Sequence, residues 1–189
     1  MTDFRIDHET RMQIETGISA IEELLSRIDI TSSDATHLLA AQGWLEDYDW
    51  ASASAELESI QPTLKAHPDG LRMRVEFYSA AKRWDYVIEA ASTLAKQFPD
   101  DSFWHLRLAY ALHELKRTQE AWNALLPAAD RFPDQWVFPY NLACYACQMG
   151  RLDDAREWLE RAFALGDAKA LKLEALDDPD LAALWVTMR

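Results

Sequence analysis

Glycine is scarce in this sequence: the 189 residues include only five glycines, and no two of them lie close together. Phosphate-cradling loops and dinucleotide-binding fingerprints need clustered glycines, because backbone N–H groups must approach the ligand closely. The sequence also contains neither a Gly-x-Ser-x-Gly elbow nor a His-Glu-x-x-His zinc helix. These absences argue against nucleotide-binding enzymes and against the common hydrolase classes.

Cysteines and long apolar runs are equally sparse. Cys144 and Cys147 are the two cysteines, too few for the disulfide framework of a small secreted fold. The first residues carry charges where a signal peptide needs an apolar run, and no stretch reaches transmembrane length. We therefore expect a soluble, cytoplasmic protein that does not associate with membranes.

Basic residues are outnumbered, since 19 lysines and arginines stand against 32 aspartates and glutamates and give a formal net charge of −13. A nucleic-acid binder needs a basic stripe that displaces counterions from phosphate, so we expect no nucleic-acid partner. With 49% hydrophobic residues the chain can still build a substantial core.

What the sequence does contain is an internal repeat with a fixed period. Pro99 and Pro133 lie in similar Phe-Pro-Asp segments, and an equal interval beyond Pro133 reaches the break at Gly166-Asp167. Small and apolar residues recur at the same interval, in the pairs Leu108 and Leu142, Ala109 and Ala143, Ala121 and Ala155, and Leu125 and Leu159. Such a period is the signature of a repeat architecture.

Each interval divides into two helix-length segments. Apolar residues occur at helical spacing from Ser102 to Leu115, and again from Gln119 to Arg131, after a break at Lys116-Arg117-Thr118. Gly150 marks the same break in the next interval. Because alanines occupy matching positions in both helices, we expect close packing of the two backbones. The sequence therefore predicts an all-α fold of helical hairpins.

The run from Tyr140 to Phe163, YNLACYACQMGRLDDAREWLERAF, resembles a tetratricopeptide repeat (TPR). The resemblance covers residues 34–167 as four units, namely 34–68, 69–99, 100–133 and 134–167. In the first unit, the family pattern is matched by Ala40, Gly43, Ala51 and Pro68, with Pro68 in the place that Pro99 and Pro133 have in later units. The resemblance implies a right-handed α-solenoid of about four helical hairpins. The tail from Leu173 to Leu181 is similar to the ending of some bacterial members, which implies a bacterial origin.

Both flanks are predicted to cap the repeats. Residues 1–33 contain an amphipathic helix over 8–28, and residues 168–189 contain a last helix that begins with Asp178 and Pro179 and runs through Trp185. Solenoids need such atypical ends, because a terminal repeat otherwise exposes an apolar face.

The resemblance also implies a concave groove lined by the first helices of successive units. Its positions, carried over residue by residue, define the candidate groove residues: Arg72, Glu76, Phe103, Leu106, Tyr110, His113, Val137, Tyr140, Cys144 and Cys147, with Gln148 beside them. Aromatic side chains give contact area at low entropic cost, so we expect a protein or peptide ligand there. The alternative is that the protein's own N- or C-terminal helix covers these residues.

The function implied is a non-catalytic interaction module or scaffold, with no cofactor, no metal and no catalytic residues. A secretion-type TPR chaperone is an alternative, and self-association remains open. An alternative of another class is a thiol redox or metal-binding protein that uses Cys144 and Cys147. The two thiols share one face of a helix, and His113 occupies the equivalent place one repeat earlier. A structural zinc site has four ligands, and only three are available here. A redox-active thiol lies near a helix N-terminus, whereas these cysteines lie in the middle of a predicted helix. We therefore expect the two cysteines to be small side chains packed between helices.

Overall fold

The computed structural model describes residues 32–47 and 49–185, so the predicted helix over 8–28 lies outside the described residues. Ten α-helices occur in this part of the chain: α1 Ser32–Glu46, α2 Trp50–Ser59, α3 Pro62–Ala66, α4 Pro68–Ala80, α5 Trp84–Gln97, α6 Ser102–Glu114, α7 Thr118–Arg131, α8 Val137–Gln148, α9 Leu152–Leu165 and α10 Ala168–Asp177. A 3₁₀ helix, Pro179–Leu184, follows α10. The same residues contain no strand, and the predicted all-α class is confirmed. None of these helices is long and apolar enough to cross a bilayer.

The hairpin turns share one backbone geometry at the predicted period. Lys82, Lys116 and Gly150 follow one another at that period and adopt left-handed φ angles of 53°, 61° and 75°. At the second turn the Arg117 N–H donates to the Leu112 carbonyl at 2.9 Å, and the Lys116 N–H donates to the His113 carbonyl at 2.7 Å. The other two turns repeat both bonds. This pair of bonds is a Schellman motif, which satisfies the last carbonyls of a helix. The breaks predicted at Lys116 and Gly150 are therefore the left-handed residues that follow the C-caps of α6 and α8.

Alanine and valine side chains are buried at matching positions in the two helices of each hairpin. Eight residues at the repeat period are at most 1% exposed, the first helices contributing Ala41, Val75, Ala109 and Ala143 and the second helices Ala53, Val87, Ala121 and Ala155. Such side chains let helix backbones approach closely.

The first repeat corrects the predicted register. Ala40 is half-buried and Ala51 is exposed, whereas Ala41 and Ala53 occupy the packed positions. The error arose because Pro68 was matched to Pro99 and Pro133. The latter two lie in turns after second helices, but Pro68 begins α4 after the extra short helix α3.

The described residues form two compact units, one that ends at Val87 and one that begins at Ile88. In the first unit, apolar residues of α1 to α4 form one cluster around Leu38, Leu57 and Phe77. In the second unit, one continuous core joins α6, α7, α8, α9, α10 and the 3₁₀ helix. The second unit contains most of the candidate groove residues.

Candidate functional site

The 3₁₀ helix begins as predicted. Pro179 occupies its first turn, and the Asp178 carboxylate caps it by accepting the Asp180 N–H at 2.9 Å. Proline is favoured there because a first-turn N–H has no intrahelical partner. We call Asp178–Trp185 the C-terminal segment. Leu181 and Leu184 are completely buried, so this segment is part of the core of the second unit.

Three successive turns of α8 contact the C-terminal segment. Tyr140, Cys144 and Cys147 share one helix face, and all three are at most 6% exposed. The Tyr140 hydroxyl donates to Asp178 Oδ2 at 3.1 Å, and the Cys144 thiol donates to the same oxygen at 3.5 Å. One turn on, Gln148 Nε2 donates to the main-chain oxygen of Asp180 at 3.0 Å.

His113 brings the preceding first helix, α6, to the same segment. Its Nε2 lies 2.8 Å from Asp180 Oδ2, and its Nδ1 lies 3.1 Å from Thr118 Oγ1. An ionised carboxylate only accepts hydrogen bonds, so Nε2–H is the donor toward Asp180. The imidazole ring packs 4.8 Å from the Tyr145 ring and is 4% exposed. Two neighbouring first helices therefore hold one short segment.

The two cysteines are free thiols, and their surroundings favour the protonated form. Burial raises the pKa of Cys144 well above its usual value, and the Asp178 and Asp180 carboxylates raise it further. Burial also raises the pKa of Cys147. Since the thiolate is the nucleophile and the metal ligand, these shifts disfavour both chemistries at neutral pH. Across residues 32–47 and 49–185, no group of three or more His, Cys, Asp or Glu side chains is arranged to hold a metal ion.

Four other candidate groove residues continue along α6 and α8 and are only half-buried. We call them the open strip: Phe103, Leu106, Tyr110 and Val137. Leu106 and Val137 pack against the core of the second unit. The Phe103 ring meets the Trp104 ring edge-on at 4.7 Å, with the Arg107 guanidinium 5.2 Å from its centroid. These contacts fix the ring while part of its surface faces solvent.

The last two candidates, Arg72 and Glu76, lie on α4 in the first unit. Glu76 is buried and Arg72 is half-buried. The candidate groove residues thus fall into three groups: those under the C-terminal segment, those of the open strip, and this pair on α4.

Asp178 and Asp180 form hydrogen bonds with the candidate groove residues, and the groove prediction left them out. The sequence does carry a signal for them, because Asp-Pro-Asp predicts a capped helix start in a segment that also supplies leucines. No local sequence pattern predicts that this helix contacts residues 113 and 140–148.

Comparison with solved structures finds MamA (AMB-1) in two crystal forms. The C2221 form matches with a TM-score of 0.54 and 20% identity, over 85% of this chain and 100% of that one. The P212121 form matches with a TM-score of 0.55 and 18% identity, over 85% and 93%. No family model matches the sequence, and no curated protein does. At these identities the likeness shows the fold alone, and it confirms the predicted class, an all-α solenoid of TPR-like helical hairpins.

Proposed function

We propose that this protein is a non-catalytic interaction module that binds a peptide or a partner helix across α6 and α8. The observation that carries the proposal is that this face already holds a short chain segment, residues 178–185. His113 from one first helix, and Tyr140 and Gln148 from the next, donate the hydrogen bonds. A surface that receives a helical segment from its own chain has the polar and apolar contacts that a partner segment needs.

The open strip is where we place the first contact with a partner. Tyr110 lies one helical turn before His113, and Val137 one turn before Tyr140, so the strip continues the occupied surface. Phe103 and Tyr110 are half-buried rings. Partly exposed aromatic side chains on a rigid helix are typical anchors of protein interfaces.

The chemistry available on this face favours binding over reaction. Burial raises the pKa of both cysteines, and His113 is engaged by Thr118 and Asp180. The thiol redox or metal alternative therefore has less support than the binding proposal. A scaffold and a secretion-type chaperone would use the same surface. The cytoplasmic location, the bacterial origin and the lack of nucleic-acid and membrane partners stay predictions from the sequence.

Site-specific photo-crosslinking tests the proposal. A photoreactive amino acid at position 106, in protein expressed in its source cells, should form a covalent adduct with a discrete partner protein. The matched control carries the same amino acid at position 160, an exposed position on the second helix α9. Tyr110→Ala should remove the adduct formed at position 106. The same adducts at both positions, or an adduct that survives Tyr110→Ala, would contradict the proposal.

A further inference from the structure

The residues under the C-terminal segment need hydrogen-bond acceptors at fixed positions in any segment that covers them. Tyr140, Cys144 and His113 all direct donors at the carboxylates of Asp178 and Asp180. Each of the three donor residues is at most 6% exposed. A buried donor that loses its acceptor is costly, because it gives up water without replacement. An occupant without two suitably spaced carboxylates is therefore disfavoured at this surface.

The apolar contacts have an equally simple pattern. Leu181 and Leu184 are completely buried, whereas Pro179, Ala182 and Ala183 are exposed. Side chains three residues apart lie above one another in a 3₁₀ helix, so the two leucines project from the same side. The surface thus contacts four side chains in the pattern Asp-x-Asp-Leu-x-x-Leu and leaves the intervening ones in solvent.

We propose that this surface recognises a segment of a partner protein with the pattern Asp-x-Asp-Leu-x-x-Leu, and that the chain's own C-terminal segment is a tethered competitor for it. The inference rests on the proposed function and names the chemistry of the ligand. The partner segment is acidic and apolar at fixed positions, so its carboxylates would replace those of Asp178 and Asp180.

Displacement is possible because a partner can make contacts that the C-terminal segment does not make. The open strip continues the occupied surface by about three helical turns on α6, from Tyr110 back to Phe103, and by about one turn on α8, at Val137. A partner that also covers Phe103, Leu106 and Tyr110 gains differential contacts, which is what shifts an equilibrium between two occupants. The competitor is short, six residues of 3₁₀ helix joined to α10 through the extended residue Asp178.

The two buried cysteines provide a readout of segment opening in the full-length protein. We expect Leu184→Ala to loosen the C-terminal segment and to make Cys144 and Cys147 react with a maleimide at least tenfold faster than in the wild type, because local opening exposes them. A synthetic peptide with the sequence of residues 176–187 should restore protection. The same peptide with asparagine at both positions 178 and 180 should not. Ala182→Ser, on the exposed side of the helix, is the matched control and should leave the rate unchanged.

Peptide affinity is the second measurement. The labelled 176–187 peptide should bind the Leu184→Ala protein at least tenfold more tightly than the wild type, because the tethered competitor is weakened. If Leu184→Ala does not retain its helical circular dichroism, Asp180→Asn replaces it with the same expectations, since both leucines are then kept.

The inference is wrong if the 176–187 peptide neither protects the thiols nor binds either protein at millimolar concentration. The C-terminal segment would then be a fixed cap. That outcome leaves the proposed function untouched, because the proposed function depends on the photo-crosslink at position 106 and on Tyr110. Loss of that crosslink together with tight peptide binding would conversely overturn the role given to the open strip and support recognition of the Asp-x-Asp-Leu-x-x-Leu pattern.

Discussion

Single residues carry the strain of the hairpin turns. Lys82 and Lys116 adopt the left-handed conformation that Gly150 adopts at the third turn. A residue with a Cβ incurs a steric cost in this conformation, whereas glycine reaches it freely. Two of the three turns therefore use a residue that fits the backbone poorly.

We expect Lys116→Gly to raise the free energy of unfolding by about 1 kcal/mol, because it removes the steric cost of the left-handed backbone. Equilibrium unfolding in urea measures this change. Gly150→Ala is the opposite substitution at the equivalent turn. A Cβ there has no atom within 4 Å beyond its immediate chain neighbours, so this variant tests the steric cost of the left-handed backbone. It should lower the free energy by a similar amount. A lower urea midpoint for Lys116→Gly would contradict the assignment of strain to this residue.

The two tyrosines of the candidate groove differ in how far they are buried. Tyr140 is buried and donates to Asp178, whereas Tyr110 is half-buried. We expect Tyr140→Ala to lower the free energy of unfolding by about 3–5 kcal/mol, as truncation of a buried aromatic does. Tyr110→Ala should cost about 1 kcal/mol and act mainly on binding. Thermal melting of both variants, with the photo-crosslink at position 106, makes the comparison. Equal losses of stability would mean that the open strip belongs to the core.

At the scale of elements, the helix pairs are held by small residues in register. Ala109 and Ala143 on first helices, and Ala121 and Ala155 on second helices, are fully buried. The buried alanines and the helical spacing of apolar residues indicate the same register. The helices of the third repeat were therefore predicted to within one residue. The first repeat was misaligned because α3 interrupts that regularity with a proline of its own at position 62.

Ala143→Leu should overpack the hairpin of α8 and α9 and lower the free energy of unfolding by roughly 1–3 kcal/mol. The matched control is Ala164→Leu on the exposed side of α9, where the added methyl groups meet solvent. Urea unfolding of both proteins gives the difference. An unchanged midpoint for Ala143→Leu would show that the buried alanines are not at a close helix contact.

At the scale of the whole molecule, local patterns and long-range contacts differ in what a sequence reveals. The repeat period was sufficient to predict the class of fold. The sequence does not decide between the two alternatives for what covers His113, because the hydrogen bond of His113 to Asp180 joins residues 67 positions apart. Periodicity describes which residues are equivalent, and it does not say which part of the chain a given equivalent residue will contact.

The equal spacing of the three left-handed turns also bears on how such a chain changes length during evolution. Removal of residues 117–150, one whole period, would join Lys116 directly to Arg151, so that a left-handed turn is again followed by an arginine and a second helix. Ala109 would then face Ala155, a pair of the same size as the one it loses. A deletion that is not a whole number of periods would place the turn out of step with the alanines. Duplication and loss of complete units are therefore the changes in length that this architecture tolerates best.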